Sequence, residues 1–111
     1  MKMYICVLDE FPDYMTPTLV AHTVLAAHQK FVCGDSPMYN QYMKWLENSF
    51  KKVAVRVNQK EFDKITSLPF VHLGHENNTL DGRKSCVVVC PMTNEEIPNV
   101  LKFAKLWKPK E

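Results

Sequence analysis

Apolar positions fall along the chain in blocks whose period changes. Met3-Tyr4-Ile5-Cys6-Val7-Leu8 is a nearly continuous apolar run. It is too short for a core helix and predicts a strand covered on both faces. A loop from Asp9 to Tyr14 follows, and Thr16-Pro17 then has the form of a helix opening: a hydroxyl that can cap free N–H groups, with proline in the first turn. Val20, Val24, Ala27 and Phe31 share one helical face, and Gly34 is placed to end the helix. Ser36-Pro37 repeats the opening before a second amphipathic pattern through Met38, Tyr42, Trp45, Leu46 and Ser49.

Lys52 to Val57 is valine-rich and reads as a strand. Asn58 with Glu61 has the spacing of a capping box for a short helix through Phe62 and Ile65. Phe70 to Leu73 predicts a brief strand, and Gly74 to Gly82 a polar, Asn-rich loop. Ser85 to Cys90 predicts a strand that Pro91 stops. Thr93 and Glu96 form a second capping-box pattern, ahead of a last helix carrying Ile97, Val100, Leu101, Ala104 and Trp107. The expected class is therefore α/β, in the order β-α-α-β-α-β-β-α. Its mixed four-stranded sheet has helices on both faces, the first two strands parallel and the last two antiparallel.

The 111 residues fit a single domain, 1–111. With 46% apolar and 11% aromatic residues the composition is that of a globular chain, not a disordered one. Apolar runs are too short for a membrane span, and the start lacks a signal-peptide pattern, so a cytoplasmic, reducing setting is expected. The four cysteines are then read as free, small buried hydrophobes. A net charge of +2 does not by itself imply a polyanionic partner.

Much chemistry is absent. The three glycines are too scattered for a phosphate-cradling loop, and no serine lies in a nucleophile elbow. The histidine and cysteine spacings do not call for a metal. What remains is a polar set near the predicted strand mouths: Asp9 after the first strand, Thr18 and His22 in the first helix, and His75, Asn77, Asn78, Arg83, Lys84 and Ser85 in and beside the polar loop. Ligands of open α/β sheets bind at such mouths. His22 reads either as a general base or as a core histidine satisfied by backbone. Lys51, Lys52, Arg83 and Lys84 read either as a phosphate-binding patch or as a solvated rim. Phe31, Tyr42 and Trp45 read as packing residues.

The element order, the stretch Trp45-Leu46-Glu47 through Phe50 to Val57, the stretch Gly82-Arg83-Lys84-Ser85 through Pro91, and the segment Leu101 to Leu106 together resemble the type 2 peptidyl-tRNA hydrolase family. The resemblance implies hydrolysis of the ester joining peptide to tRNA without metal or cofactor, tRNA as partner, and a homodimer. The family's first helix opens G-K-x-A-A-Q, and its Gly, Lys and Gln correspond here to Pro17, Thr18 and His22. Lys84 and Ser85 match its G-[ST]-K-T segment, while most of the family's catalytic set is replaced. On this basis His22 is the expected base, with Asp9 or His75 as its partner. Thr18 stands at the oxyanion and Lys84 at a phosphate. The alternative is a non-catalytic module on the same fold that binds RNA or a protein partner.

Overall fold

The computed structural model describes residues 1–76 and 83–110, with the backbone alone at 75, 76 and 83. Strand β1 (Lys2–Leu8) leads through a 3-10 turn (Asp13–Met15) into α1 (Thr16–Phe31). Then come α2 (Tyr39–Lys44), β2 (Lys51–Val57), α3 (Gln59–Thr66), β3 (Val71–Glu76) and β4 (Arg83–Met92). A 3-10 turn (Asn94–Glu96), α4 (Asn99–Lys102) and β5 (Lys105–Leu106) complete the chain.

The sheet is open and mixed, with strand order β3-β4-β1-β2-β5. β1 runs parallel to β2, pairing Lys2 with Lys51 and Leu8 with Val57, and antiparallel to β4. β3 pairs antiparallel with β4 as expected. Alternation along the strands builds two cores. Cys6, Val55, Val87 and Val89 pack with Phe62, Ile65 and Leu101 on the α3–α4 side. Ile5, Val7, Val88 and Cys90 pack with Phe31, Tyr42 and Trp45 on the α1–α2 side.

The structure corrects several expectations. The sheet has five strands, not four, because the last predicted helix stops after one turn. Pro109 biases Lys108 towards extended backbone, and the free edge of β2 offers hydrogen-bond partners to an extended chain. Residues 105 and 106 therefore pair with Arg56 and Val55, and Trp107 N–H donates to the Ala54 carbonyl at 2.9 Å. Pro91 does not stop β4 but lies within it, where the β1–β4 register shifts between Lys2 and Tyr4 and takes up the residue without a ladder donor. Thr16 makes no side-chain cap; the preceding 3-10 turn feeds α1 directly. The second helix ends in a wider π turn (Trp45–Ser49), closed by Phe50 at φ 57°. The capping box at Asn58 forms, with Asn58 Oδ1 accepting from Glu61 N at 2.8 Å and Glu61 Oε1 accepting from Asn58 N at 2.9 Å. Thr93 and Glu96, joined by Thr93 N–H donating to Glu96 Oε1 at 3.1 Å, instead close a 3-10 turn ahead of α4 and do not cap it.

Helix α1 sits closely on β3. A Cβ added to Gly74 would meet Thr23 Oγ1 at 2.1 Å. Thr23 is fully buried, its hydroxyl satisfied by donating to the Leu19 carbonyl at 2.9 Å. This contact fixes the rotation of α1: Leu19, Thr23, Ala27 and Phe31 face the protein, Val20, Val24 and His28 are half-buried beside them, and Ala21, His22 and Leu25 are exposed.

Candidate functional site

The parallel pair β1–β2 ends at Leu8 and Val57, and the residues just beyond or beside those ends form the densest polar cluster among the described residues. Asp9 continues the ladder, its N–H donating to the Val57 carbonyl at 2.8 Å. Arg56 reaches from β2 into the loop before α1. Its Nη1 donates to Asp9 Oδ1 at 3.0 Å and to Asp13 Oδ1 at 3.2 Å, and its Nη2 donates to the Lys108 carbonyl at 2.5 Å. The guanidinium also lies 4.9 Å from the centre of the Trp107 ring. Lys110 closes the cluster: its backbone N–H donates to Asp13 Oδ2 at 2.7 Å, and its ammonium lies 3.2 Å from Asp9 Oδ1. The C-terminal segment is thus clamped to the loop before α1 by two carboxylates and an arginine.

These contacts set the ionisation of the cluster. Partial desolvation opposes the charge on Asp9, but hydrogen bonds and charge from Lys110 and Arg56 outweigh it and hold the carboxyl below its ordinary value. Asp13 is lowered mainly by the Lys110 backbone N–H, with Arg56 adding to the effect. Partial desolvation works against the Arg56 charge, yet the hydrogen bonds it donates to the two aspartates, and their negative charge, raise its pKa.

A cleft of about 420 Å³ opens beside this clamp, a size suited to a small ligand or one unit of a polymer. Asp9, Arg56, Asn58, Glu61, Phe103, Lys105 and Lys108 are among the residues that line it. A second open cleft of about 380 Å³ shares Glu61 and Phe103 with the first and adds Lys60 and Lys64. Together they form a trough along α3 and the C-terminal segment. Phe103 stands where the two clefts meet, 75% exposed. Leu106, also exposed, lines the first cleft.

The residues singled out from sequence are dispersed relative to this trough. Asp9 lines it. Thr18 and His22 are exposed one turn apart on the outer face of α1, so the imidazole is not the core histidine of the alternative reading. The partners recorded for Asp9 are Arg56 and Lys110, and His22 is not among them. His75 pairs through its backbone with Lys84, and its side chain lies outside the described set. Asn77 and Asn78 lie outside the described residues.

Lys51, Lys52, Arg83 and Lys84 do not form one patch. Lys51 pairs with Lys2 at the start of β1, whereas Cys86 pairs with Val7 near its end, on the opposite flank. The five-residue offset along β1 is about 17 Å, and Lys84 lies two residues further along β4. Lys52 Nζ instead covers the Phe50 ring at 3.2 Å and donates to the Phe50 carbonyl at 2.7 Å. Ser85 is corrected to a core residue, 1% exposed, sitting where β4 carries an extra residue opposite Gly74 and His75.

Cys6, Cys86 and Cys90 are buried as expected, and burial pushes the Cys86 and Cys90 thiols up to about 12. Cys33 is the exception and is exposed. Phe31, Tyr42 and Trp45 are core residues, with His28 Nδ1 hydrogen-bonded to the Tyr42 hydroxyl at 2.8 Å.

Sequence reasoning missed Phe103, Lys60, Lys64 and Arg56. The Phe103-x-Lys105 pair flanked by Lys102 and Lys108 was a usable signal, hidden by reading the segment as the last helix. Among the described residues no three metal-ligating side chains gather, and no helix is long and apolar enough to cross a membrane. No family model matches the chain, and no curated protein matches it.

Proposed function

We propose that this protein is a binding module for single-stranded nucleic acid, and that the trough centred on Phe103 is its binding surface. The carrying observation is Phe103 itself. A phenyl ring 75% exposed at the junction of two clefts leaves a large apolar area in water, and a stacked base covers such a ring without regard to sequence. Lys105 and Lys108 on one side and Lys60 and Lys64 on the other suit the phosphates that flank a stacked base. Arg56, already shared between two carboxylates, shapes the wall and leaves phosphate binding to the lysines.

The resemblance to type 2 peptidyl-tRNA hydrolases makes tRNA, with its single-stranded 3′ end, the RNA to try first. The test is fluorescence anisotropy of a labelled single-stranded oligonucleotide and of tRNA across a salt series. Affinity that weakens with salt and drops when Phe103 is replaced by Ala supports the reading. Salt-independent affinity, or none, overturns it.

A hydrolytic reading stands second, favoured by the exposed Thr18–His22 pair one turn apart on α1. In it His22 activates water for attack on the ester of a peptidyl-tRNA. Single-turnover cleavage by wild-type protein that is clearly faster than by His22→Ala supports it, and equal rates remove it.

A further inference from the structure

The trough is not uniformly basic. Asp9 lines the first cleft together with Lys105 and Lys108, and its side chain is 37% exposed. The contacts recorded for it from Arg56 and Lys110 both fall on Oδ1, which leaves Oδ2 as an acceptor. The two cations also hold the carboxyl ionised, so it accepts hydrogen bonds and does not donate them. Arg56 fixes its orientation, and Arg56 is itself held by Asp13 and the Lys108 carbonyl.

A fixed carboxylate inside a phosphate-binding cleft, its charge balanced by Arg56 and Lys110, offers a strong acceptor to whatever neutral donor lies between base and phosphate. In a nucleotide that part is the sugar, and the donor that distinguishes the two nucleic acids is the ribose 2′-hydroxyl. With a base on Phe103 and a phosphate at the lysines, the sugar lies in the cleft that Asp9 also lines.

We propose that Asp9 reads the ribose 2′-hydroxyl and makes the trough selective for RNA over DNA. This rests on the nucleic-acid reading above and adds a specificity-determining residue to it. Hydrogen bonds to charged groups contribute about 1.5–3 kcal/mol, which corresponds to a preference of about tenfold or more.

The test compares labelled adenine hexamers, ribo and deoxyribo, by anisotropy on wild type, Asp9→Asn, Asp13→Asn and Phe103→Ala. The expected result is tighter binding of the ribo-oligomer by wild type, about tenfold, with the ratio falling towards one in Asp9→Asn. Asp13→Asn is the control: Asp13 shares Arg56 and Lys110 with Asp9 but does not line the cleft, so the ratio stays. Equal wild-type affinity for both oligomers, with both weakened by Phe103→Ala, overturns the role of Asp9 and leaves the binding module standing. A ratio lost equally in Asp9→Asn and Asp13→Asn also overturns it, because the clamp as a whole would then be responsible. Binding of neither oligomer overturns both proposals.

Discussion

The opening of α1 and the trough beside β5 are joined by one clamp near the carboxyl ends of β1 and β2, yet they are built in opposite ways. At α1, tight packing decides everything. Thr23 presses on Gly74, Leu19, Ala27 and Phe31 follow it inward, and Thr18 and His22 are turned outward as a by-product. At the trough, packing is loose and charge decides. Arg56 ties together two carboxylates and the Lys108 carbonyl, and the tied segment leaves Phe103 and its lysines standing around open space. Lying near a strand mouth is therefore not enough to make a residue part of a site. Side-chain direction, set by the nearest close contact, selects which polar groups meet.

The largest expected effect breaks the packed side. Gly74→Ala puts a methyl group inside the Thr23 side chain and is expected to destabilise the fold by about 1–3 kcal/mol, as overpacking does. Chemical denaturation measures it, and Thr23→Gly in the same chain restores part of the loss if the clash is the cause. On the open side, Phe103→Ala removes the stacking ring. It is expected to weaken single-strand binding by about 1–3 kcal/mol with little change in stability, since the ring is mostly exposed.

The lysines contribute less each and are read through salt. Replacing both Lys105 and Lys108 by Ala is expected to lower the slope of log affinity against log salt by about 1.4, at about 0.7 per single-strand phosphate contact.

The clamp has its own signature in pH. Asp9 and Asp13 are held below their ordinary pKa in the fold, so the unfolded chain binds more protons as acid is added. Stability from the clamp is complete above the ordinary carboxylate range, about pH 4. It is lost as pH falls through the lowered values. The thermal midpoint is expected to stay flat from neutral pH down to that range and then to fall. The fall is expected to be shallower in an Asp9→Asn, Asp13→Asn double variant. Glu96, lowered chiefly by the Thr93 backbone N–H, keeps part of it. The smallest effect belongs to His22→Ala, for which RNA affinity within twofold of wild type is expected.

The sheet was legible where a local pattern had a single reading. The apolar run at Met3–Leu8, the valines before Asn58 and the Asn58–Glu61 cap each specified their element. The C-terminal segment was not legible. Ile97, Val100, Leu101, Ala104 and Trp107 carry a helical period, but the unpaired edge of β2 competes for the same residues, and only the assembled sheet presents that edge. Of the candidate site, Asp9 alone was found. Its cationic partners come from positions 56 and 110, far apart in the chain, and no local spacing joins them. The basic patch drawn from Lys51, Lys52, Arg83 and Lys84 failed because each pair opens its strand, and β4 runs antiparallel to β1 and β2, so the two openings lie at opposite ends of the sheet.

An amide-resolved NMR titration with a short single-stranded RNA tests most directly whether the trough is the binding surface. Shift changes gathered at Asn58, Glu61, Phe103, Lys105 and Lys108 are the expected result. Changes gathered at Thr18 and His22, or at Lys51 and Lys52, with the trough amides unmoved, would contradict it.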